Sequence, residues 1–238
     1  MKKSEEIKHE LLSSYPVKVE IHAHTSPASG CSQIPPREEV RTFHDDGYDA
    51  IAITNHFYVN DRWDSKEEYL EAYKKDFLEA LDEGEKLGMK VYLGAELRFV
   101  NENGNDYLLF GITLEDLDRI YSYLDKDFET FVRECKTDKM FFLQAHPFRE
   151  DMVLMNTDLL DGVEAFNMHP NHNSKVTIAY NYAKEHGKVA TIGSDYHHRG
   201  HDNLSATRFK VLPNDSIELA RELKNDDFIY EISGNLMV

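Results

Sequence analysis

Short apolar runs alternate with amphipathic stretches along most of the chain. Seven runs read as strands: Val17–His22, Ala50–Thr54, Lys90–Ala95, Tyr107–Phe110, Met140–Ala145, Gly162–Phe166 and Val189–Gly193. Between them apolar residues recur at spacings of three and four, the signature of helices with one buried face. The longest helix runs from about Ser65 to Leu87, with Leu70, Tyr73, Phe77 and Leu81 on one face. Ser65 and Glu68 form a capping box at its start, and Gly88 suits its end. A second helix begins at Thr113, boxed by Asp116, and carries Leu117, Ile120 and Leu124. A third follows Asn173, with Val176, Tyr180 and Ala183 inward and Gly187 as the stop. A shorter one opens at Pro36 and ends before Gly47.

Strands alternating with helices imply parallel βαβ units, and about seven of them in one chain predict an α/β barrel rather than an open sheet. No Pro/Gly/Ser linker divides residues 1–238, so a single domain is expected, its motif-bearing core at about 17–197. Beyond it, at about 208–232, a strand-like RFKVL, a helix and an apolar FIYEI are expected to pack on the outside.

Composition narrows the partners. With 27 basic and 44 acidic residues among 238, the formal net charge is −17. Such a surface repels phosphate backbones and anionic membranes, so neither long nucleic acid nor a membrane is an expected partner. Cys31 and Cys135 are far apart, follow no metal or redox spacing and read as free thiols. The N-terminal stretch lacks an apolar segment of signal-peptide length, and no run of 18 apolar residues occurs, which together predict a cytoplasmic protein. The 12 histidines are many for this length.

Their positions are informative. VKVEI stops at His22-Ala23-His24, AIAIT at Asn55-His56, KVYLGA at Glu96, FFLQA at His146-Pro147, and VATIGS at Asp195-Tyr196-His197. In a βα barrel these C-terminal strand ends converge on one face. A lone histidine after a strand is more often a surface or capping residue, and His9, His44, His172, His186 and His201 are read that way. His169, in the loop after the sixth run, could contact substrate but reads first as a loop histidine. His-x-His on a strand places both rings on one side. A carboxylate such as Glu96 at a buried strand end needs a partner. Imidazoles and carboxylates gathered at five strand ends form the ligand set of zinc, iron or manganese.

The segments His22-Ala23-His24-Thr25, Ile53-Thr54-Asn55-His56, Gly94-Ala95-Glu96, Ala145-His146-Pro147 and Gly193-Ser194-Asp195-Tyr196-His197 resemble, in order, the motifs of the PHP (polymerase and histidinol phosphatase) metal-dependent phosphoesterases. Gly162–Asn167 resembles a further strand segment of that family. The resemblance implies a distorted (β/α)7 barrel with two or three divalent ions. His22, His24, Glu96 and Asp195 would surround one ion, Glu96 would bridge to a second held by His146, and His56 and His197 would hold a third. Three positions depart from the family. Asn55 stands where Asp is common and is expected to orient His56. Asp106 stands where a His often follows the third motif and could supply an oxygen to the second ion. Near Gly30 and Cys31 some members have a His or an acidic residue; with no replacement, the third ion would be weakly held or absent, which leaves a two-ion site open.

Paired ions about 3.5–4 Å apart can make a bridging water nucleophilic and polarise phosphoryl oxygens. The implied function is hydrolysis of a small phosphorylated molecule, a phosphomonoester such as histidinol phosphate or a nucleotide. Asp195 or His197 would help move a proton. Arg149, and after it Arg199 and Arg98, are the candidates to hold substrate phosphate, against a plain surface salt-bridge role for each. Trp63 either walls the pocket or staples the following helix. Two alternatives stay open: an amidohydrolase-type hydrolase attacking a carbonyl, and a non-catalytic metal-binding domain.

Overall fold

The computed structural model describes residues 3–102 and 104–238. The first half contains α1 (Lys3–Ser14), β1 (Val17–Ala23), α2 (Pro36–Asp45), β2 (Ala50–Ile53), β3 (His56–Tyr58), α3 (Lys66–Leu87), β4 (Lys90–Leu93) and β5 (Ala95–Arg98). Next come β6 (Tyr107–Phe110), α4 (Asp116–Tyr121), α5 (Phe128–Glu134), β7 (Phe141–Gln144), β8 (Gly162–Asn167) and α6 (Val176–Glu185). The chain ends with β9 (Val189–Gly193), β10 (Ser205–Phe209), α7 (Ser216–Asn225), β11 (Phe228–Ile232) and β12 (Asn235–Met237).

Local chemistry sets several of these boundaries. The Ser65 hydroxyl accepts from the Glu68 amide at 3.1 Å, and α3 stops at Gly88 with φ 73°. At α4 the Asp116 carboxylate takes the amide and hydroxyl of Thr113, so the box closes a turn ahead of the helix, which starts at Asp116 instead of Thr113. Leu124 is buried in the turn beyond its end. A separate α5 follows, capped where the Asp127 side chain accepts from Thr130 N at 2.7 Å. Neither α5 nor α1 was expected from the pattern; α1 buries no residue and so carries no strong apolar stripe.

The chain is α/β, with parallel pairing of β1 to β2, β2 to β4, β3 to β5, β7 to β8 and β8 to β9. Helices cover the sheets, so most strands are buried on both faces and read as continuous apolar runs. The pairing forms two six-stranded sheets, β12-β11-β10-β1-β2-β4 and β3-β5-β6-β7-β8-β9, instead of one seven-stranded ladder. Among the described residues the link between β1 and the end of β9 is the Ala23–Tyr196 bridge, with His24 N donating to Tyr196 O at 3.0 Å. The run KVYLGAELR is therefore two strands, broken at Gly94 where the chain passes from one sheet to the other. A Cβ at Gly94 would lie 2.8 Å from Thr54 Cγ2, so the crossing depends on close approach.

The C-terminal segment differs from expectation. β10 is no outer addition: it lies within the first sheet, antiparallel to β1 with Val17 opposite Phe209 and Val19 opposite Thr207. It starts at the polar Ser205, whose hydroxyl meets buried Glu20 Oε2 at 3.1 Å and whose carbonyl accepts from Tyr48 Oη at 2.6 Å. Buried polar pairing thus hid the start of this strand from a hydrophobicity pattern. α7 places Leu219, Ala220 and Leu223 in the same apolar cluster as Phe141 and Leu143. No helix among the described residues is long and apolar enough to cross a membrane.

Candidate metal centre

β1 presents His22 and His24 from one face, and both are completely buried. β3 and β5 run parallel with His56 directly opposite Glu96. β7 leads into His146 and β9 into Asp195, both with positive φ (29° and 52°), so the chain turns sharply where these side chains enter the site. His22 Nε2 lies 3.0 Å from His24 Nε2, and each of these atoms lies 3.4 Å from Asp195 Oδ1. Glu96 reaches His22 at 3.4 Å, His24 at 3.4 Å, His146 at 3.2 Å and His56 at 2.8 Å. His197 Nδ1 is 3.3 Å from Asp195 Oδ1.

These separations test whether a cation fits. Bonds of about 2.0–2.1 Å to zinc put tetrahedral ligand atoms about 3.3–3.4 Å apart, close to the 3.4 Å contacts of Asp195 and Glu96 with His22 and His24. Glu96 Oε2 and His56 Nδ1 are only 2.8 Å apart, yet neither makes a hydrogen bond, although both atoms are buried. Orphaned buried donors and acceptors are costly, and a shared ion would satisfy both. The groups with mutually close ligand atoms are His22-His24-Glu96, His24-His56-His197 and His56-Glu96-Asp106. The donor set therefore fits divalent metal, and these residues are the ones that could hold it.

Electrostatics agree with that fit. Burial depresses the His22 imidazolium, but the carboxylates of Glu164, Asp195 and Glu96 outweigh it and hold the ring well above its usual value. His56 and His146 are raised against the same burial, chiefly through Glu96. Glu96 and Asp195, which burial would push up, are held well below the carboxylate range by His56 and His22 respectively. His24 goes the other way, lowered by burial and by the neighbouring His197 and His56. Protons on the imidazoles thus balance buried carboxylates at the positions where a cation would sit.

Behind the rings lies a second set of buried groups. Glu164 Oε1 meets His22 Nδ1 at 2.6 Å, and its Oε2 accepts from His146 N at 3.0 Å and Asn167 Nδ2 at 3.1 Å. Gly193 makes room for this pair, since a Cβ there would fall 2.4 Å from His22 Cβ and 2.8 Å from Glu164 Oε1. Glu20 accepts from the amides of His22 and Ser194 at 2.8 and 3.0 Å, while burial pushes its carboxyl up to about 7. Glu164 and Glu20 were missed from sequence, although each interrupts an apolar run, and a charge inside a strand buried on both faces must have a partner.

The other expected residues divide clearly. Asn55 does not face the centre: its carbonyl oxygen accepts from Thr25 N and Ser29 Oγ, and Ser29 Oγ in turn accepts from His56 N at 2.9 Å. Asp106 is 3.9 Å from His146 and is gripped in a fork by Arg98, at 2.7 and 2.8 Å. Arg98 therefore has a carboxylate partner already, while still bordering the cavity. Arg149 NH1 reaches Asp195 Oδ2 at 3.4 Å. Arg199 is not brought to the site: it pairs with Glu38 on the surface and does not line the cavity. Trp63 is also absent from the lining and packs against Tyr69 at the start of α3, with ring centroids 6.1 Å apart, as a staple would.

A cavity of about 380 Å³ opens over the centre, with Glu96, Asp106, His146, Asp195, His197 and Arg149 in its walls. His172, read from sequence as a surface residue, and His169, read as a loop histidine, also line it, joined by His198. His172 Nε2 accepts from Arg149 at 2.5 Å. Cys31 borders the same cavity; burial would raise its thiol, but hydrogen bonds with His197 and His56 bring it down to about 6.

Comparison with known proteins places this geometry. The chain is similar in structure to a two-domain protein from Bacteroides vulgatus containing a predicted PHP-like metal-dependent phosphoesterase, with a TM-score of 0.63 and 18% identity over 92% of this chain. This chain spans 66% of that one, just under two thirds of its length. PsfC from Pseudomonas syringae is similar with a TM-score of 0.56 and 16% identity, over 92% of this chain and 93% of its own. An amidohydrolase from Chromobacterium violaceum, solved with bound sulfate and no metal, gives a TM-score of 0.52 and 15% identity, over 90% and 98%. At such identities the likeness is one of fold. No curated protein matches the chain. The PHP domain family model matches residues 20–201, from Glu20 behind the first histidine pair to just beyond His197, and so takes in every strand end that contributes to the centre. The chain belongs to the PHP domain family.

Proposed function

We propose that this chain is a metal-dependent phosphoesterase that hydrolyses a small phosphorylated molecule, a phosphomonoester or a nucleotide. The carrying observation is a cluster of His22, His24, Glu96 and Asp195 at metal-ligand spacing with the Arg149 guanidinium 3.4 Å from Asp195 at the cavity edge. A cavity of about 380 Å³ suits a small ligand, and the formal charge of −17 disfavours a long polyanion. When bound, two or three divalent ions of zinc, manganese or iron supply an activated water and charge for the phosphoryl oxygens. His22, His24, His56, Glu96, His146, Asp195 and His197 would hold them, with Asp106 as a further oxygen donor.

The protein's own groups have distinct tasks. Arg149 presents a planar fork to a phosphate oxygen entering beside Asp195. His197, whose Nδ1 donates to the Asp195 carbonyl at 2.8 Å, keeps its other ring nitrogen free of that bond: it would hold an ion there, or carry a proton to the leaving alkoxide where no ion occupies it. Asp195 keeps its charge against burial and anchors the ring pair His22 and His24.

Elemental analysis of protein purified without chelator, followed by phosphate release from a metabolite panel, tests this reading. Two or more ions per chain and release from at least one ester are expected. Fewer than two ions with no release would refute it. Arg149→Met should lower kcat/KM for phosphate esters by about 10–150-fold, the worth of one charge-assisted hydrogen bond. Equal loss toward carbonyl esters would favour the amidohydrolase-type reaction.

A further inference from the structure

The loop between β8 and α6 brings His169 into the cavity wall, only 7% exposed. Among the described residues it belongs to none of the close groups of ligand atoms. Hydrogen bonds tie this loop to the metal centre. Met168 N donates to Gly193 O at 2.9 Å, and Asn167 Oδ1 accepts from His169 N at 3.3 Å and from Ser174 Oγ at 3.1 Å. The Asn167 amide nitrogen donates in turn to Glu164 Oε2 at 3.1 Å and Asp195 Oδ2 at 3.2 Å. The His169 ring stands edge-on to His197, with centroids 5.7 Å apart, and 4.5 Å from His172. Since His172 Nε2 accepts from Arg149, the charged guanidinium and the His169 ring share one wall of the cavity.

One hydrogen bond fixes the tautomer of this ring. Asn171 N donates to His169 Nδ1 at 3.2 Å, and a ring nitrogen that accepts carries no hydrogen, so the hydrogen sits on Nε2. No group among the described residues accepts that hydrogen. A donor held this deep in a cavity wall is costly to leave unpaired. We propose that His169 is a substrate-binding residue whose Nε2–H donates to a phosphoryl oxygen of the molecule that Arg149 also holds. This assignment rests on the phosphoesterase reading and adds a recognition element to it. Because that edge of the ring can only donate, the group it meets must be an acceptor: a phosphoryl oxygen suits it, and an amine or an amide N–H does not. Arg149 supplies charge, and His169 supplies direction from a ring already locked in place, so little ordering is left for the substrate to cause.

Inorganic phosphate, the product common to all phosphomonoesters, is the probe, titrated calorimetrically into the full-length protein carrying the ions with which it is purified. His169→Asn keeps a polar group near Nδ1 but has nothing at the place of Nε2, and should bind phosphate about tenfold or more weakly, the worth of one hydrogen bond to a charged group. Its ion content should equal that of wild type. His169→Gln places an amide NH2 where Nε2–H stood and should recover most of the affinity. Nitrogen-15 spectra of wild type give a readout that needs no variant: the free ring should carry its hydrogen on Nε2, and phosphate should shift that nitrogen more than Nδ1. Phosphate affinity of His169→Asn within about threefold of wild type, loss of ions from that variant, or a hydrogen found on Nδ1 would overturn this assignment alone. Ion-loaded wild type that binds no phosphate and releases none from any ester would overturn it together with the phosphoesterase reading.

Discussion

The carboxylate of Glu164 touches no candidate substrate position, yet replacing it should weaken metal binding more than changing any surface charge. Its Oε1 receives His22 Nδ1 at 2.6 Å, which keeps a ring hydrogen on that nitrogen and makes Nε2, 3.4 Å from both Glu96 and Asp195, the nitrogen that gives up its proton to an ion. Its Oε2 serves His146 N at 3.0 Å. Glu164→Gln preserves volume but turns one acceptor into a donor. If the amide oxygen faces His22, the new NH2 group opposes the His146 amide, donor against donor. If it is reversed, NH2 meets Nδ1 and His22 must move its hydrogen to Nε2, the atom that would bind the ion. Either arrangement loses a buried hydrogen bond on one of two metal-side histidines.

Losing such a ring-orienting partner typically costs 10–100-fold in metal affinity, about 1.4–2.7 kcal/mol. A competition titration against a chromophoric chelator measures this directly, with far-ultraviolet circular dichroism as a check that the fold is kept. Glu164→Asp, which keeps two acceptors at a shorter reach, should fall between wild type and Gln. An affinity for Glu164→Gln within threefold of wild type, with the same number of ions bound, would refute the claim that Glu164 fixes the His22 tautomer.

Gly193→Ala should destabilise the fold by about 1–3 kcal/mol by overpacking, and should lower metal content as well, because the added Cβ presses on both His22 and Glu164; denaturation midpoints within 0.5 kcal/mol of wild type would contradict this. Glu39 is fully buried with both carboxylate oxygens unpartnered, and burial, with Glu20 and Asp76 nearby, holds its carboxyl well above the ordinary range. Its native state therefore keeps a proton that the unfolded chain loses, and stability falls as pH rises above the unfolded value. Glu39→Leu should accordingly stabilise the protein, more at pH 8 than at pH 4; a gain independent of pH would count against it. Because His22, His56, His146 and His197 are raised in the metal-free site, metal uptake near pH 6 should release protons and tighten by about tenfold per pH unit for each proton displaced. Calorimetry in buffers of different ionisation enthalpy detects that release, and buffer-independent heats would exclude it.

Much of the fold was legible because burial on both faces makes a strand an unbroken apolar run, and β6 and β9 match their expected ends residue for residue. The parts that escaped have physical reasons. Gly94 splits one apolar run between two sheets, and nothing local marks a change of sheet. β3 is a three-residue strand whose central Phe57 alone is buried, too short to show a period. β10 opens on Ser205-Ala206-Thr207, buried through hydrogen bonding to Glu20 and Tyr48 and not through hydrophobicity.

The candidate site divides along the same line. Residues at strand ends were legible because the direction of a parallel strand determines which end meets the common face, and His22, His24, Glu96, His146 and Asp195 all arrive there. Loop residues carry no such rule: His172, His198 and Cys31 join the cavity through the paths of loops, and their spacing in sequence is silent on it. Glu20 and Glu164 are a third kind, legible in principle. Each is a carboxylate within a strand that has no exposed face, and its burial is tolerated because backbone amides, hydroxyls or a ring nitrogen satisfy it. A charged residue inside VKVEI or GVEAF is too costly to keep for stability alone. Glu20 takes the backbone amide of His22 and Glu164 its ring nitrogen, so both buried carboxylates act on the placement of that one histidine.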